Sequence, residues 1–364
     1  MVQVETRPPR QTSAPASHFI HTVPGLLVVL ALAGAAVPLG RLIPVVGGPV
    51  FGILLGVATG ALAPALRGEW SRPGYDFASK YLLQASIVVL GTGLSLRQVV
   101  EVGGGSLPVM LGTLAVALGG AWLFGRWLGV RGDTQILIGV GTGICGGSAI
   151  AAATAAIGAK RTSVAYALAT IFTFNVVAVL TFPTLGHLLG MSPEAFGLWA
   201  GTAINDTSSV VAAGYAYSQQ AGDHALVVKL TRSLMLVPIV LGLVILKSRR
   251  EAKASVQTGS PQQQGTSAEL AGRKLPWRKM VPLFLVGFLA AAGLRSAGLV
   301  PEAWQPNLSL LGTFLITSAL VGIGLSLRLS ELRKAGLRPL LLGAVLWICV
   351  AASSLGLQQL TGAL

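Results

Sequence analysis

Two stretches rich in glycine and hydroxyl residues interrupt long apolar segments of this chain. They read Gly-Thr-Gly-Ile-Cys-Gly-Gly-Ser-Ala-Ile-Ala-Ala over 141–152 and Gly-Thr-Ala-Ile-Asn-Asp-Thr-Ser-Ser-Val-Val-Ala over 201–212. In hydrocarbon every backbone N–H and C=O must find a partner, so an interrupted helix survives only where protein or a water-filled cavity supplies one. Each break is therefore a candidate binding site.

A helix that restarts in mid-membrane directs unpaired N–H groups and the positive end of its dipole into the gap, and this combination attracts an anion. The predicted anion-binding residues are Thr142, Cys145, Gly146, Gly147 and Ser148 at the first break, and Asn205, Thr207, Ser208 and Ser209 at the second. A packing role is the alternative. Glycines at GxxxG spacing let helices approach closely, and Ser and Thr hydroxyls can bond to backbone carbonyls.

Asp206 is the only acidic residue near the middle of an apolar segment, where an ionised carboxylate is costly unless it is paired. Lys229 and Arg232 lie three positions apart on the next segment, on one helix face, and are its expected partners. The group could be a structural salt bridge. The functional alternative is that the two cations bind a substrate oxyanion and that protonation of Asp206 couples transport to a pH gradient.

Other polar residues are secondary candidates. The amide of Asn175 could donate to a substrate oxygen, although a structural use is the preferred interpretation. Arg97 and Arg328 are expected to be interfacial anchors. The two cysteines, Cys145 and Cys349, have no CxxC or histidine partner at ligand spacing, so we expect neither a disulfide nor a metal site. No cofactor is predicted.

The composition identifies the class of protein. Of 364 residues, 53% are hydrophobic and 10% are charged, and the mean hydropathy is +0.73. A soluble globule has far more charge, so the chain is predicted to be an all-α polytopic membrane protein. With about 20 apolar residues needed for each crossing, eleven segments are predicted, starting near residues 24, 44, 78, 107, 134, 163, 194, 224, 279, 304 and 337.

The basic residues predict the orientation, because Lys and Arg accumulate in cytoplasmic loops. With a cytoplasmic N-terminus, nineteen of them fall inside and five outside: Arg41, Arg97, Lys160, Arg161 and Arg295. The C-terminus is then outside. Basic loops against an anionic inner leaflet explain the net charge of +14 without nucleic acid, which is not an expected partner.

Four regions are predicted along the chain. Residues 1–22, rich in Pro and Ser, form a disordered cytoplasmic tail, and 23–247 hold spans one to eight. Residues 248–277, with many Gln, Ser, Ala and Gly, form a flexible cytoplasmic linker, and 278–364 hold spans nine to eleven.

A repeated segment indicates internal symmetry. Leu-Gly-Thr-Gly-Leu-Ser-Leu-Arg at 90–97 recurs as Val-Gly-Ile-Gly-Leu-Ser-Leu-Arg at 321–328, with six of eight positions identical. The copies lie seven spans apart and should run in opposite directions, as in an inverted repeat. The two breaks also align with each other, but spans five and seven would then run parallel unless one element turns back. The sequence leaves that choice open.

These motifs together resemble the YeiH-type family of bacterial inner-membrane proteins, for which sulfate export has been suggested. The resemblance extends from about residue 24 to 360 and implies a bacterial inner (cytoplasmic) membrane location. More distantly, the Gly-Leu-Ser-Leu segment followed by a broken helix is similar to the bile acid:sodium symporter superfamily, whose inverted repeats cross at two discontinuous helices. This chain has another repeat order and lacks an acidic residue at the first break.

The sequence thus predicts a secondary transporter of a small oxyanion, with sulfite or sulfate implied by the resemblance. Cation-coupled uptake of an organic acid or sulfonate and a non-transporting membrane sensor are the alternatives. Proton or sodium coupling and a homo-oligomeric state are left open. No nucleophile, base and orienting group occur together at helical spacing, so an enzyme is not expected.

Overall fold

The protein is built from membrane-length helices and two pairs of half-length helices. The computed structural model describes residues 15–42, 47–246, 283–326 and 336–363, and within these ranges the regular structure is entirely helical. Six helices there are long and apolar enough to cross a membrane, so the prediction of an all-α polytopic membrane protein is confirmed. The number of eleven spans stays a prediction.

The helices of the described residues follow in chain order. They are α1 Pro15–Leu42, α2 Gly47–Leu62, α3 Arg72–Phe77, α4 Leu83–Gly91, α5 Leu96–Trp127, α6 Asp133–Gly143, α7 Gly147–Ile157, α8 Arg161–Leu188, α9 Pro193–Ala203, α10 Thr207–Tyr217, α11 Gln219–Leu234, α12 Leu283–Ser296, α13 Gln305–Ser326 and α14 Leu337–Thr361. A π-helical turn, Ala78–Leu82, joins α3 to α4. The apolar helix that starts with α11 continues to Leu246.

Helix α1 begins before the predicted end of the N-terminal tail, because Pro15 is already helical. Residues 1–14, the predicted linker at 248–277 and the predicted anchor Arg328 lie outside the described residues. The first copy of the repeated motif spans the end of α4 and the start of α5. Ser95 forms a capping box with Gln98 at the start of α5, in which each side chain bonds the other residue's backbone N–H.

Both predicted breaks are present, but each joins two arms of a hairpin that leaves the membrane on the side where it entered. In the first hairpin, α6–α7, the backbone N–H of Lys160 donates to Asp133 Oδ2 over 3.1 Å, so its two outer ends adjoin. In the second, α9–α10, the Tyr217 hydroxyl donates to the carbonyl of Met191, and its ring stacks on Phe196. Neither pair of arms crosses the membrane as one span.

The hairpins enter from opposite sides. Their bases lie at the two ends of α8, an unbroken helix of 28 residues that is about 42 Å long at 1.5 Å per residue. The breaks therefore oppose each other in space, which resolves the parity conflict in the sequence. This topology assigns Lys160 and Arg161 to the predicted cytoplasmic side. The number of basic residues on that side rises from nineteen to twenty-one, and the number on the opposite side falls from five to three.

The helices form two groups. The scaffold group comprises α1, α2, α3, α4, α12 and α13, and the hairpin group comprises α5 to α11 and α14. The first copy of the repeated motif begins at the end of α4, and the described part of the second copy ends α13. These two scaffold helices are antiparallel, because Gln305 Nε2 at the start of α13 donates to the carbonyl of Thr92 at the end of α4 over 2.8 Å. Backbones of α2 and α13 touch at Gly56 and Gly324, where any side chain would overlap the opposite helix.

Candidate functional site

The tips of the two hairpins meet near half membrane depth. Each arm has 11 residues, about 16 Å of helix and roughly half of a 30 Å hydrocarbon layer. Gly146 at the first tip lies against Asp206 at the second, because an added Cβ would be in van der Waals contact with Asp206 Cα at 3.4 Å. Gly146 has φ +65° and ψ −124°, a backbone region that essentially only glycine adopts.

Two buried cations on α11 bind the carbonyl ends of the entering arms. Lys229 Nζ donates to the carbonyls of Ile144 and Ile204, each over 2.8 Å. Because these acceptors belong to different hairpins, one ammonium group joins both tips.

The guanidinium of Arg232 makes a parallel set of contacts one helical turn away. Its Nε donates to the carbonyl of Gly143 over 2.6 Å, its Nη2 to that of Thr142 over 3.4 Å, and its Nη1 to that of Thr202. Both cationic side chains are 0% exposed. They occupy the negative ends of two helix dipoles, where cations are favoured.

The expected pairing of these cations with Asp206 is wrong. Asp206 instead caps α10: its Oδ2 accepts from the backbone N–H of Ser208 over 3.1 Å and from the Ser208 hydroxyl. No ion pair found in the described residues includes Asp206. The sequence-based prediction missed that backbone groups at the helix ends are the local partners of these charges, which helical spacing alone does not reveal.

The two inner helix N-termini differ. At α10 the N-cap residue is Asp206, whose carboxylate accepts from the backbone N–H of Ser208, so the positive end of this helix is already compensated. At α7 the capping residue is Gly146, which has no side chain, and the described residues provide no backbone acceptor for the N–H groups of Gly147 and Ser148. The open N-terminus is therefore that of α7.

A cavity of 880 Å³ lies in front of the tips, between the scaffold and hairpin groups. Among the predicted residues, it is lined by Ser148, Asp206, Thr207, Ser208 and Ser209. The other predicted residues do not line it: Thr142, Cys145, Gly146, Gly147, Asn205, Lys229 and Arg232. Some of the predicted residues therefore face the cavity, and the others lie behind the tips.

Asn175 on α8 also lines this cavity. Its Oδ1 accepts from the backbone N–H of Asp206 over 3.3 Å, while its Nδ2 has no hydrogen-bond partner within the described part of the chain. The side chain is only 3% exposed. A buried amide donor without a partner is costly, so this group is suited to a ligand oxygen, and the structural role expected for Asn175 covers only its carbonyl.

Sequence reasoning did not identify two charged residues of the cavity, Asp76 and Lys80. Lys80 was counted among the cytoplasmic loop charges, but it lies in the π-helical turn Ala78–Leu82 and borders the cavity together with Ser326 of α13. A π-turn of this kind often marks a functional site. Charges at the edge of an otherwise apolar segment were the available signal.

The opposite side of the cavity is closed by apolar packing of the second hairpin on the scaffold. Val211 and Tyr215 of α10 belong to one buried cluster with Ile53 of α2 and Leu320 of α13. Polar groups line the cavity towards the ends of α3 and α13, at Asp76 and Ser326, so access is from that side. In the predicted orientation this side is cytoplasmic.

Comparisons with known proteins identify the family of this chain. A family model described as Conserved hypothetical protein 698 matches residues 24–343. A UPF0324 membrane protein of Streptococcus pyogenes serotype M6 is 41% identical over 354 residues, covering 95% of this chain and 99% of the relative. One of Fusobacterium nucleatum is 36% identical over 362 residues, covering 93% and 98%.

The matched family is the YeiH-type family that the motifs predicted, and that prediction is confirmed. The relatives are named only as membrane proteins, which agrees with the predicted location in a membrane. The distant similarity to the bile acid:sodium symporters stays a prediction. With matches over nearly its full length, the chain belongs to the family described as Conserved hypothetical protein 698.

Proposed function

We propose that the protein is a secondary transporter of a small oxyanion, with sulfite and sulfate as the candidate substrates, in the bacterial inner membrane. The observation that carries the proposal is that Ser148, at the uncapped N-terminus of α7, and Asn175, whose buried amide has no hydrogen-bond partner in the described residues, line one cavity at the hairpin tips. Backbone N–H groups and an amide donor bind an oxyanion without needing a full charge. Lys80 near the mouth attracts anions into the cavity.

Asp206 is the proposed coupling residue. Its carboxylate borders the same cavity and repels a bound anion when ionised, because both charges lie in a poorly screened environment. Protonation removes this repulsion. A proton and an anion therefore bind together, and a pH gradient drives the anion in the direction of proton flow.

A second substrate class is favoured by the lining of the cavity. Tyr166, Leu168 and Phe172 of α8 form an apolar wall next to the polar tips, and 880 Å³ is within the range of sites for organic ligands. A sulfonate or small carboxylate places its anionic group at α7 and its apolar part on this wall. Uptake of such an organic anion is the second candidate function.

The test is flux of labelled anions into proteoliposomes containing the purified protein. Sulfite, sulfate, a simple sulfonate and a small carboxylate are compared with and without an imposed proton or sodium gradient. Two results together support the proposal. Flux of sulfite or sulfate should be saturable, and it should depend on the pH gradient in wild type but not in Asp206→Asn. Flux confined to the organic anions selects the second candidate, and absence of flux for all four anions refutes transport of this class.

A further inference from the structure

We infer that Lys229 and Arg232 act as tethered cations in the place of a coupling metal ion, so that anion binding and transport need no sodium. The inference rests on the proposed function for its transport consequence. Its structural part, a cation site formed by carbonyls of the two hairpin tips and filled by side chains, stands on the hydrogen bonds alone.

The ligand set at the tips is typical of an alkali cation site. Broken helices of secondary transporters commonly coordinate Na⁺ with unwound carbonyls and with helix C-terminal ends. Here the carbonyls of Ile144 and Ile204, one from each hairpin, both point at a single position. That position holds the ammonium nitrogen of Lys229.

The remaining carbonyls of the two helix ends are bound as well. Arg232 donates to the carbonyls of Thr142 and Gly143 of α6 and of Thr202 of α9. Five carbonyl oxygens are thus bound by two side chains that cannot leave. A metal ion would have to displace a buried cation and would then face its charge at close range.

No carboxylate joins the carbonyl oxygens at this position to offset the charge of a metal ion. Asp206, the one carboxylate at the tips, directs its oxygen to Ser208 and borders the cavity on the other side. Within the described ranges no group of three or more His, Cys, Asp and Glu residues could hold a metal ion. The carbonyl position is therefore suited to a cation that brings its own hydrogen-bond donors.

The arrangement also sets the charge balance of the transport site. Two fixed positive charges lie behind the tips and one carboxylate lies in front of them. Buried charge requires compensation, and an anion bound at α7 supplies the missing negative charge. In sodium-coupled transporters an exchangeable ion provides this compensation and its gradient the energy. With tethered cations, the charge remains in the protein throughout the cycle.

The decisive test is chemical replacement of the tethered cation. Lys229→Ala removes the atoms of n-propylammonium from the site, which leaves the carbonyls of Ile144 and Ile204 without a donor. We expect the variant to have a melting temperature at least about 3 °C below wild type. We expect n-propylammonium to restore it saturably. Tetramethylammonium, a cation without N–H donors, should have no effect.

Lys229→Met is the matched control, because it fills the same space and leaves no room for the amine. It should lose stability and gain nothing from n-propylammonium. Wild-type stability in Lys229→Ala, or a loss that n-propylammonium does not restore, overturns the inference. If that variant does not fold, the wild-type protein decides: a saturable rise of its melting temperature with NaCl, relative to N-methylglucamine chloride at equal ionic strength, overturns it.

The transport measurement is separate from these stability measurements. Wild-type flux of the transported anion should be equal within twofold when N-methylglucamine replaces sodium on both sides. A requirement for sodium overturns the inference and leaves the proposed function intact. Absence of any anion flux refutes the proposed function, whereas the stability measurements still decide whether the tips form a filled cation site.

Discussion

Replacing Asn175 by alanine tests whether the cavity binds an anion at the hairpin tips. The substitution removes the free Nδ2 donor and also the acceptor that Asn175 Oδ1 gives to the backbone N–H of Asp206. The second loss affects the empty and the occupied protein equally, so it lowers stability without entering the dissociation constant. Only the lost donor weakens anion binding.

The size of the effect follows from the burial of the amide. A hydrogen bond to a charged group contributes about 1.5 to 3 kcal/mol, so the Kd of Asn175→Ala for sulfite or sulfate should rise about 10- to 150-fold. Titration calorimetry on the detergent-purified protein measures this directly. Thr173→Ala is the matched control on the same helix, since its hydroxyl donates only to the carbonyl of Ala169.

The reasoning fails if the Kd of a folded Asn175→Ala protein remains within twofold of the wild-type value. The amide donor would then not contact the anion. The proposed anion site would rest on the N-terminus of α7 alone. An equal loss in Thr173→Ala would likewise refute it, because the effect would belong to α8 as a whole.

Three further predictions concern coupling, the first tip and the topology. Asp206→Asn keeps a good helix cap but removes the repelling charge, so the Kd for sulfate should be lower than in wild type in binding titrations. Gly146→Ala forces a side chain into a glycine-only backbone conformation at a cost of about 1 to 3 kcal/mol, and scanning calorimetry should show a lower melting temperature with anion binding lost; an unchanged melting temperature would contradict the tip geometry. In a variant without the native Cys145 and Cys349, single cysteines at Arg131→Cys and Lys160→Cys should react with an impermeant maleimide from the same side of oriented vesicles, and one at the exposed Leu189→Cys from the other. Labelling of the first two from opposite sides would exclude a re-entrant hairpin.

Much of the fold could be predicted because hydrophobic length is a strong signal in membranes. The starts of α6, α8, α9 and α14 lie within two residues of the predicted segment starts. The sequence could not predict that the chain turns back at each break. A broken span and a pair of half-length helices contain the same residues. Only a contact between distant residues, such as Asp133 with Lys160, distinguishes them.

The candidate site was predicted in its residues more than in its geometry. Both breaks and the buried charges were recognised from their types, since polar groups in apolar segments are rare. Their partners depend on which helix ends meet, and that is set by tertiary packing. Lys229 therefore binds carbonyls of two hairpins, although the sequence predicted Asp206 as its partner.

The tethered cations also have a consequence for biogenesis. Each hairpin arm is too short to be inserted as a span by the translocation machinery, and the carbonyls at both tips have their donors on α11, at Lys229 and Arg232. The ribosome synthesises these donors after both hairpins. The hairpins therefore cannot settle at mid-depth while the chain is emerging, and their seating follows the insertion of α11. Substitutions on this one helix will act as assembly defects of two distant segments as well as transport defects.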